Sequence, residues 1–248
     1  MTNRLLLRFI LLGIRITLPF TALIAQSPFK AGAIVGINFA QIDGDHQSGY
    51  KKFGTTFGVR GGFRILKNLD VITELLYLEK GTLPNEKGIT NYDGRRATIT
   101  YKYAEVPLLL SHYIKKNEMG FYQWNIYTGV SYGQLLRSSS SVEVKNAFNA
   151  DITKSIGQEN LNKRDLAYII GLNYMIIPNL GLGVRHSVSI NNVYSNPNPE
   201  RSANGRIVRD AYLQFRNYFV SIQLQYDFIA PKDKIKKPKS AAPASRRK

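Results

Sequence analysis

The stretch Asn217–Phe228 reads NYFVSIQLQYDF, and two kinds of side chain alternate along it. One set is apolar or aromatic and comprises Tyr218, Val220, Ile222, Leu224, Tyr226 and Phe228. The other set is mainly polar and comprises Asn217, Phe219, Ser221, Gln223, Gln225 and Asp227. Successive side chains of an extended chain point to opposite faces, so this alternation predicts a β-strand with one apolar face and one polar face.

The same two-residue period recurs along the chain, and no convincing helical period follows residue 30. The segments that show it are Lys30–Gln41, Phe53–Ile65, Asp70–Lys80, Ala97–Tyr113, Phe121–Gln134, Leu166–Ile176, Asn179–Asn191 and Asn217–Phe228. Their connections alternate between short turns and long polar loops, which is typical of membrane barrels. The sequence therefore predicts an all-β fold, an up-and-down antiparallel transmembrane β-barrel of eight strands with short periplasmic turns and long extracellular loops.

Periodicity does not say which face lies inside, so a soluble, lipocalin-like periplasmic barrel is the alternative. The polar face consists largely of small residues and amides, whereas a solvated surface would carry many Lys and Glu. Strands of ten or more residues also match the thickness of a bilayer. Aromatic residues near both ends of the apolar face resemble the two girdles of a membrane barrel. These are Tyr77, Tyr132, Tyr168 and Tyr218 toward the long loops, and Trp124, Tyr174, Tyr226 and Phe228 toward the short turns.

The N-terminal segment, residues 1–25, has the composition of a secretory signal peptide. Two arginines precede a mostly apolar run, Phe9–Ile24, and a plausible cleavage site follows at Ala25. A transmembrane anchor is the alternative, but the run is short and Arg15 interrupts it. We therefore expect three parts, namely a signal peptide at 1–25, an outer-membrane barrel at 26–230 and a basic, disordered periplasmic tail at 231–248.

The chain is strongly basic, with a formal net charge of +17 in 248 residues. Its last 18 residues contain eight Lys or Arg and a single acid, Asp233. An exported chain rarely meets nucleic acid, so we expect this tail to contact anionic lipid or periplasmic or secretion-apparatus proteins. The absence of cysteine excludes disulfides and thiolate metal sites.

Eight strands leave a lumen just wide enough to be filled by side chains, so we expect no open pore. Charged residues on the inward faces must then pair, because an unpaired buried charge is strongly unfavourable. The predicted internal ion-pair network comprises Arg60, Arg64, Glu74, Glu105, Arg185 and Asp227. We expect its role to be structural, and a path for protons or ions is the alternative.

His186 fits its predicted position poorly, because it lies mid-strand on the apolar face. We expect it to form a hydrogen bond with a neighbour on that face. A slip in the register of this strand is the alternative, since one residue of slip exchanges the two faces.

The first long loop, QIDGDHQSGYKK, contains groups that suggest two kinds of chemistry. Asp43 and Asp45 have the spacing of a calcium loop, but the twelfth position holds Gly54 where an EF-hand requires glutamate. His46 and Ser48, with either aspartate, would crudely fit a lipid-modifying hydrolase. We expect no metal site, no cofactor and no catalytic residue, and we interpret the loop as a rigid turn at the rim.

Five stretches carry a family resemblance: AGAIVGINFAQIDGD, GYKKFG, GVRGGFRI, ITELLYLEKG and YAEVPLLL. They resemble the Bacteroidetes outer-membrane β-barrels described as PorT-like or porin family, from Ala31 to Phe228. The most specific stretches are Gly32–Gly54, Glu74–Gly81 and Glu105–Leu109, and the family-like motif of the first loop comprises Gln41, Asp43, Gly44, Asp45, Gly49 and Tyr50. The resemblance implies a Gram-negative outer-membrane location with both termini in the periplasm. The family name suggests a link to a secretion apparatus and supplies no catalytic residues.

The sequence thus favours a non-enzymatic outer-membrane barrel with a filled lumen. Its role would be structural, binding or accessory to secretion, through the long loops and the basic tail. A small lipid-modifying enzyme and a soluble periplasmic barrel are the alternatives, and the strand number disfavours a solute porin.

Overall fold

A computed structural model describes residues 28–44, 49–83, 95–144, 161–195, 204–205 and 214–231. The predicted signal peptide and the predicted tail beyond Pro231 lie outside the described residues. Four residues of the first loop, Asp45, His46, Gln47 and Ser48, also lie outside them.

Nine strands are present in the described part of the chain. They are β1 (Phe29–Asp43), β2 (Lys52–Leu66), β3 (Leu69–Thr82), β4 (Arg95–Lys116), β5 (Tyr122–Val144), β6 (Arg164–Ile177), β7 (Leu180–Ser189), β8 (Tyr194–Ser195) and β9 (Gln214–Ile229). The short β8 pairs with the start of β9, and its Tyr194 also forms an isolated antiparallel bridge with Leu161. The other eight follow one another in antiparallel order, and β9 pairs with β1 to close the sheet. The prediction of an eight-stranded antiparallel barrel is confirmed.

Within the described ranges, no helix is long and apolar enough to cross a membrane.

The main difference from the predicted strand bounds lies in β4 and β5. Their ladder continues past the predicted limits as far as the pair Arg95 and Val144. The added part of β5, residues 135–144, contains a run of serines, 138–141, which has no apolar alternation to identify it. Backbone pairing extends this hairpin at the long-loop end, where the outward side chains need not be apolar.

The side chains divide between outside and inside with the predicted period. On β6, Leu172 is 41% exposed and faces outward, whereas its neighbour Asn173 is 3% exposed and faces the lumen. On β9, Ile222 and Leu224 face outward, and Gln223 is buried between them. A water-soluble barrel would bury its apolar face, so the lipocalin-like alternative is wrong.

The lumen is not uniformly polar, because an apolar cluster fills the part near the long loops. Phe219, the aromatic residue that interrupts the polar face of β9, packs in this cluster. Its other fully buried members are Ile34, Ala40, Ile42, Leu76, Leu78, Ile99, Tyr101, Tyr103, Val193 and Phe215. The interior is therefore closed by packed side chains at this level, in addition to the ion pairs described below.

Candidate functional site

The uppermost group of lumen charges is centred on Lys80 of β3. Its ammonium lies 2.8 Å from Glu105 Oε2 and 3.0 Å from Asp165 Oδ2, and all three side chains are almost completely buried. Asn217 Nδ2 donates a further hydrogen bond of 3.2 Å to Asp165. The ammonium also lies over the rings of Tyr103 and Phe219, at 5.0 Å from each centroid. Two carboxylates thus share one cation at the edge of the apolar cluster.

A second group lies at mid-height and joins Arg185 of β7 to Glu74 of β3 across the lumen. Arg185 Nη2 lies 2.7 Å from Glu74 Oε2, and Arg185 Nε donates to the hydroxyl of Tyr127 at 3.3 Å. Gly171 leaves the space that the Tyr127 ring occupies, since a Cβ there would lie 2.2 Å from Tyr127 Cζ. The small residue on β6 therefore permits the position of the tyrosine that orients the arginine.

A looser ion pair, Arg60 with Asp227, links β2 to β9 at the lower end of the lumen. Arg60 Nε and Asp227 Oδ1 are 3.6 Å apart, which is an ion pair without a direct hydrogen bond. Both side chains are buried. In the sheet, both residues are register partners of Gly32 on β1. The pair therefore spans the strand at which the barrel closes.

The lowest group surrounds Asp70, near the short turns. Arg64 Nε lies 2.9 Å from Asp70 Oδ1, and the hydroxyl of Tyr113 donates to Asp70 Oδ2 at 2.9 Å. Lys30 binds the same carboxylate and the hydroxyl of Tyr113. Asp70 therefore neutralises two cations from two different strands.

Each predicted lumen residue lies on the inward face, and each takes part in an ion pair. The sequence interpretation missed four further members, namely Lys30, Asp70, Lys80 and Asp165. Lys80 and Asp70 share the parity of Glu74 within β3, so the two-residue period could have identified them. Asp165 escaped because it precedes the predicted start of its strand.

The network contains five acids and five bases, so its formal charges cancel. The entire net charge of +17 is therefore carried by residues outside this network. Buried, paired and mutually compensating charges are typical of a structural core, and cross-lumen pairs tie distant strands together.

Two glycines of the first-loop motif, Gly44 and Gly49, have specific roles. Gly44 has φ of 92°, and a Cβ there would lie 2.0 Å from the carbonyl oxygen of Gln214 on β9. Gly49 has φ of 98°, and its N–H donates to Gln41 Oε1 at 3.0 Å. Both backbone conformations favour glycine. Asp43 is exposed at the end of β1.

The end of this loop lies across the outside of the barrel seam. The hydroxyl of Tyr50 is 3.3 Å from His186 Nε2 on β7, and its ring packs edge-on against Tyr218 of β9 at 6.1 Å. A residue from the loop between β1 and β2 therefore contacts β9 and β7. The hydrogen bond expected of His186 on the outward face is present, and the register of β7 did not slip.

Two alternative chemistries, a calcium site and a hydrolase, concern residues of the first loop. Their candidate residues Asp45, His46 and Ser48 lie outside the described residues, whereas Asp43 is described. Where side chains are described, no group of three or more His, Asp or Glu is arranged to hold a metal ion. The other described histidine, His112, is exposed on β4 near a short turn.

Comparison with models of protein families shows which family this chain belongs to. A family model described as the outer membrane protein beta-barrel domain matches residues 24–195, more than half of the chain. The chain belongs to this family. It is therefore an outer-membrane β-barrel, in agreement with its outward apolar face and closed sheet.

Solved structures of similar fold are outer-membrane barrels of low sequence identity. Ail, the attachment invasion locus protein of Yersinia pestis, is 14% identical, with 81% of this chain and 99% of that chain covered and a TM-score of 0.39. Neisserial surface protein A is 12% identical, with 82% and 98% covered and a TM-score of 0.38. Acinetobacter baumannii CarO is 9% identical, with 79% and 96% covered and a TM-score of 0.41. A comparison with functionally curated proteins finds no match.

Proposed function

We propose that this protein is a non-enzymatic, non-conducting barrel that serves the cell envelope as a structural and binding element. The observation that carries the proposal is the filled lumen, in which a neutral ion-pair network lies beneath a packed apolar cluster. A water-filled channel would require an unobstructed polar path through the barrel. A closed lumen leaves the loops and the tail to carry the function.

Conductance across a planar bilayer tests this proposal directly. The purified full chain should insert without producing stable single-channel steps, with a known porin as the positive control. A stable open channel would overturn the filled-lumen proposal.

The proposed orientation places both termini and the short turns in the periplasm, with the long loops outside. In support, β1 begins and β9 ends on the rim that carries the short turns. The chain contains no cysteine, so a single cysteine substitution provides one thiol at a known position for labelling. In intact cells, a membrane-impermeant maleimide should label Ser195→Cys near the long loops and leave Asn179→Cys in a short turn unlabelled. Labelling of Asn179→Cys but not of Ser195→Cys would show that the barrel has the opposite orientation.

We further propose that the basic tail, residues 231–248, docks to periplasmic or secretion-apparatus proteins. The PorT-like family name suggests a link to secretion, whereas the tail itself departs from the barrels that end at a terminal aromatic, here Phe228. The supporting feature is its charge, eight bases against one acid in 18 residues. Cross-linking and pull-down with the full chain and with a chain ending at Ala230 test this role. Partners captured equally by both chains would show that the tail is not the docking element.

A further inference from the structure

Three exposed cations lie at the long-loop end of the barrel, on either side of the connection that follows β7. They are Lys163 and Arg164, at the start of β6, and Arg216, near the start of β9. We call them the cationic platform. The side chains of Arg164 and Arg216 point away from the lumen, since the adjacent residues Asp165 and Phe215 are buried in it, and Lys163, which directly precedes β6, is exposed.

A scaffold of asparagines holds the backbone of Arg164 and the side chain of Arg216. Asn162 Oδ1 accepts a hydrogen bond from the N–H of Arg164 at 3.0 Å, and Asn191 Nδ2 donates to the carbonyl of Arg164 at 2.9 Å. Asn192 Oδ1 accepts from Arg216 Nε at 2.9 Å. Arg164 and Arg216 are therefore both fixed to the connection that follows β7, which lies between them.

No carboxylate pairs with the platform among the residues that the structure describes. The outward-facing Lys102 differs, because its ammonium lies 3.1 Å from Glu79. The five lumen cations each have an acidic partner, whereas these three cations have none among the described residues. The described acids therefore leave their positive charge unneutralised.

The surface directly below the platform is apolar. Leu166 and Tyr168 follow Arg164 on the outward face of β6, and each is 47% exposed. Ile190, at the end of β7, is exposed beside them. A ligand that fits this surface has a negatively charged end, which contacts the cations, and a hydrocarbon part, which contacts the apolar side chains.

We propose that the cationic platform binds the phosphate groups of a phosphorylated glycolipid of the outer leaflet, whose acyl chains lie on the apolar strip of β6 and β7. Two arginines suit this ligand, because a guanidinium presents paired donors that match phosphate oxygens. The placement at the outer leaflet rests on the orientation given under the proposed function.

Lipid binding to the folded full chain in detergent tests the proposal. The probes are bisphosphorylated lipid A and the same acylated disaccharide without phosphates, and native mass spectrometry measures the bound fraction. The phosphorylated probe should bind more tightly. The triple variant K163Q/R164Q/R216Q should weaken its binding about a hundredfold, since each basic residue near an anionic lipid surface contributes roughly a factor of five.

The matched control removes three bases from the opposite rim, as K67Q/K115Q/K116Q, and should bind the phosphorylated probe like the wild type. An equal loss in both triple variants would show nonspecific charge attraction, and equal binding of the dephosphorylated probe would show that phosphate is not recognised. Either result overturns the proposal.

The shift of the band on boiling verifies that each variant is folded. If the triple variant does not fold, R164Q alone provides the test. This substitution keeps the asparagine contacts, because they are made to the backbone of Arg164. Binding of the phosphorylated probe by R164Q should fall several-fold. Unchanged binding by R164Q would then reject the platform. The binding assay is carried out in detergent and does not depend on the orientation of the barrel in a membrane. Its result is therefore independent of the maleimide and conductance tests of the proposed function.

Discussion

The lumen and the long-loop rim both hold many charges, but they hold them in opposite ways. In the lumen, Lys80 and Arg185 are buried and each binds a carboxylate at 3.0 Å or less. At the rim, Arg164 and Arg216 are exposed and pair with no carboxylate in the described part of the chain. Charges that cancel inside a barrel stabilise it, whereas unpaired charges at its edge are available to partners. Stability should therefore respond to lumen substitutions and binding to rim substitutions.

The largest effect on stability is expected for Lys80→Ala. The change leaves Glu105 and Asp165 buried without their cation, so the free energy of unfolding should fall by about 3–5 kcal/mol. Urea-induced unfolding from lipid vesicles measures it. The variant K80L/E105L/D165L should recover much of the loss, because no unpaired charge remains. A loss below about 1 kcal/mol for Lys80→Ala would contradict a structural role for this group.

A smaller loss is expected for Gly171→Ala, because the new Cβ would overlap the ring of Tyr127 and displace it from Arg185. Overpacking of this kind costs about 1–3 kcal/mol. Gly61→Ala is the control, since a Cβ there would lie 3.9 Å from its nearest neighbour. The same unfolding assay compares the two, and equal stabilities would mean that the lumen at Tyr127 is loosely packed.

Tyr50→Ala tests the contact between the first loop and the barrel seam. It removes the packing on Tyr218 and the hydrogen bond to His186, and we expect a loss of about 1 kcal/mol. Tyr50→Phe keeps the ring and should lose less. If both variants unfold like the wild type, the loop lies on the seam without stabilising it.

The smallest effect is expected for Lys102→Ala, which breaks the exposed pair with Glu79. Solvent and salt screen such pairs, so stability should hardly change. Lys102→Ala and Lys80→Ala remove the same side chain from the outside and the inside of one barrel. Similar losses of unfolding free energy for the two variants would show that charges in the lumen and at the rim contribute equally to stability.

The sequence predicted the site less completely than the fold. Arg60, Glu74 and Arg185 were identifiable because each lies on the polar face of a clearly alternating strand. Asp165 was missed because its strand begins earlier than its apolar pattern does. The contact of Tyr50 with His186 was not predictable in detail, since it depends on a loop folding back over strands that are distant in the chain.

The sequence by itself determined the eight barrel strands, their order along the chain and the alternation of their faces, because a period of two is a local property of an extended chain. Only the tertiary structure decided which charges meet. Lys80 and Asp165 are 85 residues apart, and Arg185 and Glu74 are 111 residues apart. Closure between β1 and β9 brings all strands around one narrow lumen. Two charged side chains then pair when they lie at the same level along the barrel axis and face each other across the lumen. Neither position can be read from a single segment of sequence.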